Sequence, residues 1–469
     1  MVFSTLTFVY LFLPVTVILY FLLPSLKAKN IILTVMSLLF YAWGEPIFLF
    51  LMLFTALLNF VCGLLIDRTE GKKKKAWLVV SVVLNLGMLG FFKYAGFILE
   101  NLSALTRLNL PMWQIALPIG ISFYTFQSMT YTIDVYRGDA AVQRSFYKLL
   151  LYISMFPQLI AGPIVRYADV SVQIEQRKTT LQGAADGITR FLIGMGKKLL
   201  IANYCGKICT SLLAEGSSGT VLGGWVGLIM FAFQIYFDFS AYSDMAIGLG
   251  HIFGFNFKEN FNYPYTATSI TDFWRRWHIS LSSFFRDYVY IPLGGNRRMQ
   301  VRNIFVVWLL TGFWHGAEWN FMLWGVYFGI LLLLEKFVFA KLIAALPKLI
   351  TRAVTLFLVL MSWALFYFTS LEELGSFFMR IFGAGGGAAV SDALLTLLEN
   401  NSLLIAVCIL ASLPLGRLVG GLRSSMIRDG GKLENVALSL NLIFNLVVFA
   451  VCTVVMVTET YNPFLYFRF

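Results

Sequence analysis

Apolar runs recur along almost the whole of this 469-residue chain, each about the 17–25 residues that a helix needs to cross a hydrocarbon core. Inside lipid, backbone polar groups must be satisfied within the span itself. The runs therefore predict an all-α polytopic membrane protein. Spans are expected near 4–24, 30–44, 46–66, 76–99, 145–163, 186–213, 220–254, 302–313, 319–340, 350–370, 402–420 and 436–457. Several are short or interrupted, so about eleven crossings are expected, with re-entrant pieces among them. Composition agrees, with 13% charged residues against roughly 25% in soluble domains and a mean hydropathy of +0.77. The first segment, MVFSTLTFVYLFLP, lacks the basic n-region and small-residue site of a cleavable signal peptide.

The net charge is +12, yet the basic residues lie between spans rather than in a patch for nucleic acid, and no nucleic-acid partner is expected. Lys27 with Lys29, and Lys72–Lys75, mark cytoplasmic loops by the positive-inside rule, which puts the N-terminus outside. The Lys72–Lys75 run is expected to be a solvated loop against anionic lipid. Between these two runs the chain should turn at Gly44-Glu45-Pro46. Cys205 and Cys209 are spaced for one helical face, but no His, Asp or further Cys completes a metal set, so neither metal nor disulfide is expected. The glycine-rich stretch 383–390 lacks the Lys-Ser/Thr of a phosphate loop. No repeat and no soluble domain interrupts residues 1–469, which read as a single membrane domain.

Two of the three histidines, His278 and His315, fall in one aromatic and Arg-rich stretch. At 100° per residue, Asp272, Arg275, Arg276, Ser280, Ser282, Ser283, Arg286 and Asp287 share one arc, and Phe273, Trp274, Trp277, Leu281, Phe284, Phe285 and Tyr288 the other. That pattern predicts one amphipathic helix over 270–290, lying at an interface or lining a polar cavity, with His278 on its seam. Pro292 and Gly294-Gly295 should end it. His278 can position substrate or act on it directly. His251, at the end of a span, reads as an interfacial histidine.

His315 sits in Gly312-Phe313-Trp314-His315-Gly316, where flanking glycines allow close backbone approach and loosen the helix. An imidazole with a pKa near 6.5 is a suitable general base for a hydroxyl nucleophile. The plainer alternative is a histidine hydrogen-bonded to Glu318 or a carbonyl. Asp238 and Asp244 lie inside an apolar run, where ionisable groups are functional candidates. They can hold substrate, or pair with Arg275, Arg276 or Arg286. FPQLIAGPIVRY (156–167) reads as a re-entrant turn before Arg166, and 117–138, with frequent polar residues, as a cavity wall.

WRRWHISLSSFFRDYVYIPLGGNR followed by GFWHGAEWNFMLWG resembles the signature of the membrane-bound O-acyltransferases. FPQLIAGPIVRY, FDFSAYSDMAIGLG and NFNYPY are similar to the bacterial polysaccharide branch, above all to the alginate-type acetylase subunit. The likeness runs from FYAWGEP to the closing YNPFLYFRF, with a signature core over about 110–340. The resemblance implies tilted helices around a central tunnel. It implies that His315 is catalytic and His278 the second motif histidine, and it makes Asp238, Asp244, Arg275, Arg276, Trp314 and Asn320 candidates for binding substrate. It implies a cytoplasmic acyl thioester donor, acetyl-CoA, with no tightly bound cofactor. An extracytoplasmic esterase-like partner would pass the acyl group to a polysaccharide. The tail is similar to an acyl-carrying aromatic-Tyr motif of teichoic-acid D-alanylation, which implies Tyr466 as an acyl-accepting hydroxyl. An interfacial aromatic belt also accounts for Tyr461 and Tyr466. The rival functions are acylation of a lipid or protein hydroxyl and transport of an acyl donor without chemistry.

Overall fold

The computed structural model describes residues 2–108, 115–160, 162–214, 219–429 and 431–465. The described residues form helices, turns and loops, without strands. They divide into two compact units, Met1–Phe191 with Tyr242–Glu259, and Leu192–Ala241 with Asn260–Phe469.

The first unit contains α1 (Leu13–Leu22), α2 (Leu26–Gly44), α3 (Phe48–Arg68), α4 (Gly71–Thr106), α5 (Ile121–Arg137), α6 (Phe146–Ser154), α7 (Tyr167–Gln176) and most of α8 (Leu181–Gly196). The turn between α2 and α3 falls at Glu45-Pro46, as the proline predicts. The Lys72–Lys75 run, expected as a loop, lies instead in the first turns of α4, since lysine is a good helix former and nothing there breaks a helix. The expected span over 145–163 is broken after Ser154, because Pro157 cannot continue the hydrogen-bond ladder of α6. Residues 117–138 are buried almost throughout α5, polar positions included.

Within this unit, α3, α4 and α5 are joined by a buried polar cluster rather than by apolar contact alone. The Ser81 hydroxyl donates to Asn59 Oδ1 at 2.9 Å, Asn59 Nδ2 donates to Asn85 Oδ1 at 3.1 Å, and Ser81 Oγ lies 2.9 Å from Thr132 Oγ1. In lipid, such bonds hold helices together where the hydrophobic effect cannot. Asn59→Ala removes the donor to Asn85 Oδ1 and the acceptor of the Ser81 hydroxyl and is expected to cost about 1–3 kcal/mol. The check is thermal unfolding in detergent, in which an unchanged midpoint would count against the cluster's role.

The second unit takes the start of α10 (Val221–Ile252) and continues through α9 (Asn203–Leu213), α11 (Ile270–Trp274), α12 (Ile279–Phe285), α13 (Gln300–His315), α14 (Trp319–Phe337), α15 (Lys348–Tyr367), α16 (Leu371–Ile381), α17 (Asp392–Asn400), α18 (Ser402–Ser412), α19 (Leu415–Asp429) and α20 (Gly431–Thr458). A π-helical segment, Lys197–Ala202, joins α8 to α9. α13 and α14 form an antiparallel hairpin whose backbones touch. A methyl added at Gly312 would overlap the carbonyl of Phe321, and one at Gly325 that of Trp308. Trp274, Trp308, Trp324, Phe328 and Trp363 fill the aromatic core beside it.

Seven helices are long and apolar enough to cross a membrane, or eight if the pair α17–α18, bent by 61°, counts as one. The expectation of eleven is thus not met by continuous helices among the described residues. The shortfall lies where proline, π-turns or sharp bends interrupt the apolar runs, and at α13, which is continuous but only 16 residues long.

Candidate active site

The stretch 270–290 is not one helix. α11 ends at Trp274 and α12 begins at Ile279. His278 between them takes φ 45°, the left-handed region that non-glycine residues seldom adopt. The break is held by segment 260–262, a partner distant in sequence. Ile279 N–H donates to Asn260 O at 2.9 Å, and Asn262 N–H to Arg276 O at 2.9 Å. The sorting of faces nevertheless survives, with Phe273, Trp274, Trp277, Leu281, Phe284 and Phe285 buried and Arg275 and Arg286 exposed.

Asn260 also fixes the His278 ring. Its Oδ1 accepts from Ser280 N–H at 3.1 Å and from Ser280 Oγ at 2.8 Å, and lies 3.2 Å from His278 Nδ1. An amide oxygen only accepts, so Nδ1 carries the proton and Nε2 keeps its lone pair. Nε2 is buried without a hydrogen-bond partner among the described residues. Burial pushes the pKa of this imidazole, which lies outside the seven spans, down to about 3, so it is neutral at pH 7.

His315 is placed differently. It ends α13, and Gly316 leaves the helix in an extended conformation. The glycines thus supply close packing and a helix end rather than a loosened helix. The His315 ring packs on Trp314 at 4.9 Å, Trp324 at 5.1 Å and Phe366 at 5.3 Å between centroids. It lines a cavity of about 30 Å³ together with Asp238, Phe239, Trp277, Trp324, Trp363, Phe366, Phe464 and Leu465. That is room for about two waters. His278 is not among the lining residues and stands behind Phe239, whose ring meets it edge-on at 4.6 Å.

The C-terminal segment forms part of this wall. Phe464 and Leu465 are buried at the cavity rather than spread along a membrane interface. Tyr466 lies outside the described residues. Asp238 Oδ2 accepts from Leu465 N–H at 2.9 Å, and Oδ1 pairs with Lys198 Nζ at 2.7 Å.

The other candidates disperse. Asp238 and Asp244 pair with neither Arg275, Arg276 nor Arg286 through any contact described here; Asp244 belongs to the first unit, where Arg190 holds it at 2.6 Å. Arg276 is bound to Asp272 at 2.8 Å, within its own turn. Arg275 lines a hollow of about 540 Å³ with Thr271, Ser282, Arg286 and Tyr290. Trp314 is buried, between the rings of His278 and His315. Asn320 is buried off the cavity and donates to Leu365 O at 3.3 Å, tying α14 to α15. Sequence reasoning missed Lys198, Asn260, Trp363 and Phe366. Lys198 did carry a signal, as an ammonium in an apolar run that needs a buried anion.

The model of the MBOAT, membrane-bound O-acyltransferase family, matches residues 2–378. The probable alginate O-acetylase AlgI of Azotobacter vinelandii is 42% identical over 425 residues, covering 88% of this chain and 84% of the relative. A protein of the same name from Pseudomonas putida is 37% identical over the full length of both chains. The peptidoglycan O-acetyltransferase of Helicobacter pylori is 35% identical, over 80% of this chain and 78% of its own. With a family match across most of its length and relatives of this similarity, the chain belongs to the membrane-bound O-acyltransferase family and is a multi-pass membrane O-acyltransferase.

Proposed function

We propose that this protein takes an acetyl group from cytoplasmic acetyl-CoA and passes it across the membrane for O-acetylation of an envelope or secreted polysaccharide. The observation that carries this reading is His315 at a small aromatic cavity with the C-terminal segment in its wall. The relatives' names, alginate O-acetylase and peptidoglycan O-acetyltransferase, support a polysaccharide as the final acceptor. His315 acts as general base. It takes the proton of an acceptor hydroxyl, whose oxygen attacks the thioester carbonyl; the C–S bond breaks and the thiolate leaves. The acceptor is the Tyr466 hydroxyl, one residue beyond Leu465, and an extracytoplasmic esterase-like partner then moves the acetyl group to a sugar. His278, held by Asn260 behind Phe239, positions the substrate through that ring rather than by direct contact. Arg275 and Arg286, which line the 540 Å³ hollow, suit the phosphates of the donor. The Lys27–Lys29 and Lys72–Lys75 clusters favour a cytoplasmic side for those helix ends and an N-terminus outside. A central tunnel would let donor and partner approach from opposite faces.

Purified protein in nanodiscs is incubated with acetyl-labelled acetyl-CoA. The expected result is a labelled C-terminal peptide, seen by intact and peptide mass, that Tyr466→Phe abolishes. Full transfer by Tyr466→Phe would exclude Tyr466 as acceptor, and no turnover of acetyl-CoA by folded protein would exclude this donor.

A further inference from the structure

Residues 463–465 are seated by two buried contacts made with their backbone, and residues 459–462 by contacts made with their side chains. Lys198 and Asp238 have side chains only 1% and 3% exposed and pair at 2.7 Å. Each also reaches the tail, Lys198 Nζ donating to Pro463 O and Asp238 Oδ2 accepting from Leu465 N–H at 2.9 Å. Further out, Asn203 Nδ2 donates to Asn462 Oδ1 at 3.2 Å, and Lys207 pairs with Glu459 and lies 6.0 Å from the Tyr461 ring.

A buried ion pair is a poor way to gain stability, since apolar side chains of similar volume often do as well or better. What this pair supplies is a charged donor and a charged acceptor aimed at the peptide groups on either side of Phe464. Such bonds fix the register of the chain whatever its side chains are. Lys198 reaches them from the π-helical segment Lys197–Ala202, an irregularity often found at functional sites.

We propose that the Lys198–Asp238 pair is a latch that locks the register of the C-terminal tail and so holds Phe464 and Leu465 in the wall of the His315 cavity. Lys198 and Asp238 are then positioning residues for acyl transfer, resting on the reading above that the Tyr466 hydroxyl receives the acyl group. Asp238 does not bind substrate itself.

The test compares full-length variants in nanodiscs. One readout is the rate at which carboxypeptidase Y trims past Leu465, followed by intact mass; the other is turnover of acetyl-CoA. The double variant Lys198→Met/Asp238→Leu removes both bonds and leaves no unpaired charge. It should be trimmed at least tenfold faster than the natural chain, with kcat down at least tenfold and KM for acetyl-CoA within about twofold. Lys198→Gln/Asp238→Asn keeps a donor and an acceptor and should restore protection and most of kcat. If the first variant does not fold, Lys198→Met/Asp238→Asn, which removes the donor to Pro463 O and leaves a neutral acceptor for Leu465 N–H, decides the matter with an expected threefold rise in trimming. Trimming at the natural rate, or a freed tail with unchanged kcat, overturns the latch. Tyr466→Phe leaves trimming unchanged whatever it does to transfer, so failure of the acceptor assignment is told apart from failure of the latch.

Discussion

His315→Ala is expected to reduce acetyl transfer by about 10²–10⁴-fold, the usual contribution of a positioned general base, while the protein accumulates in the membrane at its normal level. The fold should tolerate the change, because the ring is only half-buried and sits on the last residue of α13, past most of its hydrogen-bond ladder. Labelled transfer with the purified variant, and the acetyl content of polymer from cells that carry it, are the measurements. Near-normal values in both would sink the assignment. His278→Ala is the informative comparison. It removes the contact with Asn260 and leaves the left-handed backbone strained, so its loss of activity should come with a lower unfolding midpoint. A dead His278 variant beside a fully active His315 variant would transfer the base role to His278 Nε2.

The second large effect is steric. Gly312→Val and Gly325→Leu each drive a side chain into a backbone carbonyl of the facing helix. Neither carbonyl can move unless α13 and α14 separate along their length. The cost should exceed the roughly 1–3 kcal/mol typical of overpacking, where side chains can still rearrange. Gly312 lies one turn before His315, so activity should fall together with stability. Detergent-solubilised protein followed by size exclusion after heating measures the stability. Gly90→Ala on α4 is the control, because a methyl there meets nothing within 4 Å. It should be neutral, or stabilising by about 0.4–1 kcal/mol. Equal behaviour of the three variants would show that the hairpin is not closely packed.

Much of this was legible from residue order alone. Span length and hydropathy identify helices such as α2, α3, α14 and α15 because the bilayer imposes the requirement locally. The buried and exposed sides of 270–290 were equally readable, since periodicity records which side meets the core. The break in that helix was not, because its cause is Asn260, eighteen residues away, which takes over the backbone hydrogen bonds. Asp238 was found by its unusual place in an apolar run, but its partner was not. Any of several cations satisfies the electrostatic rule, and only packing selects Lys198. Trp363 and Phe366 gave no signal at all, since aromatic residues are ordinary in a span and become part of a site only when the chain folds back.

The length of α13 has a consequence for transport. Its 16 residues, Gln300–His315, rise about 24 Å, which is less than the hydrocarbon thickness of about 30 Å. Arg297, Arg298 and Arg302 around its first turn are exposed, and exposed arginines suit headgroup level. If α13 stands along the membrane normal with that turn at headgroup level, the imidazole at its other end lies most of the way through the apolar layer and short of the far surface. A group handed over at that depth has only a few ångströms of barrier left to cross. On the function proposed above, the permeability problem would then be reduced by where the reaction takes place, and a bulky, charged acyl donor would not have to leave the side on which it was made.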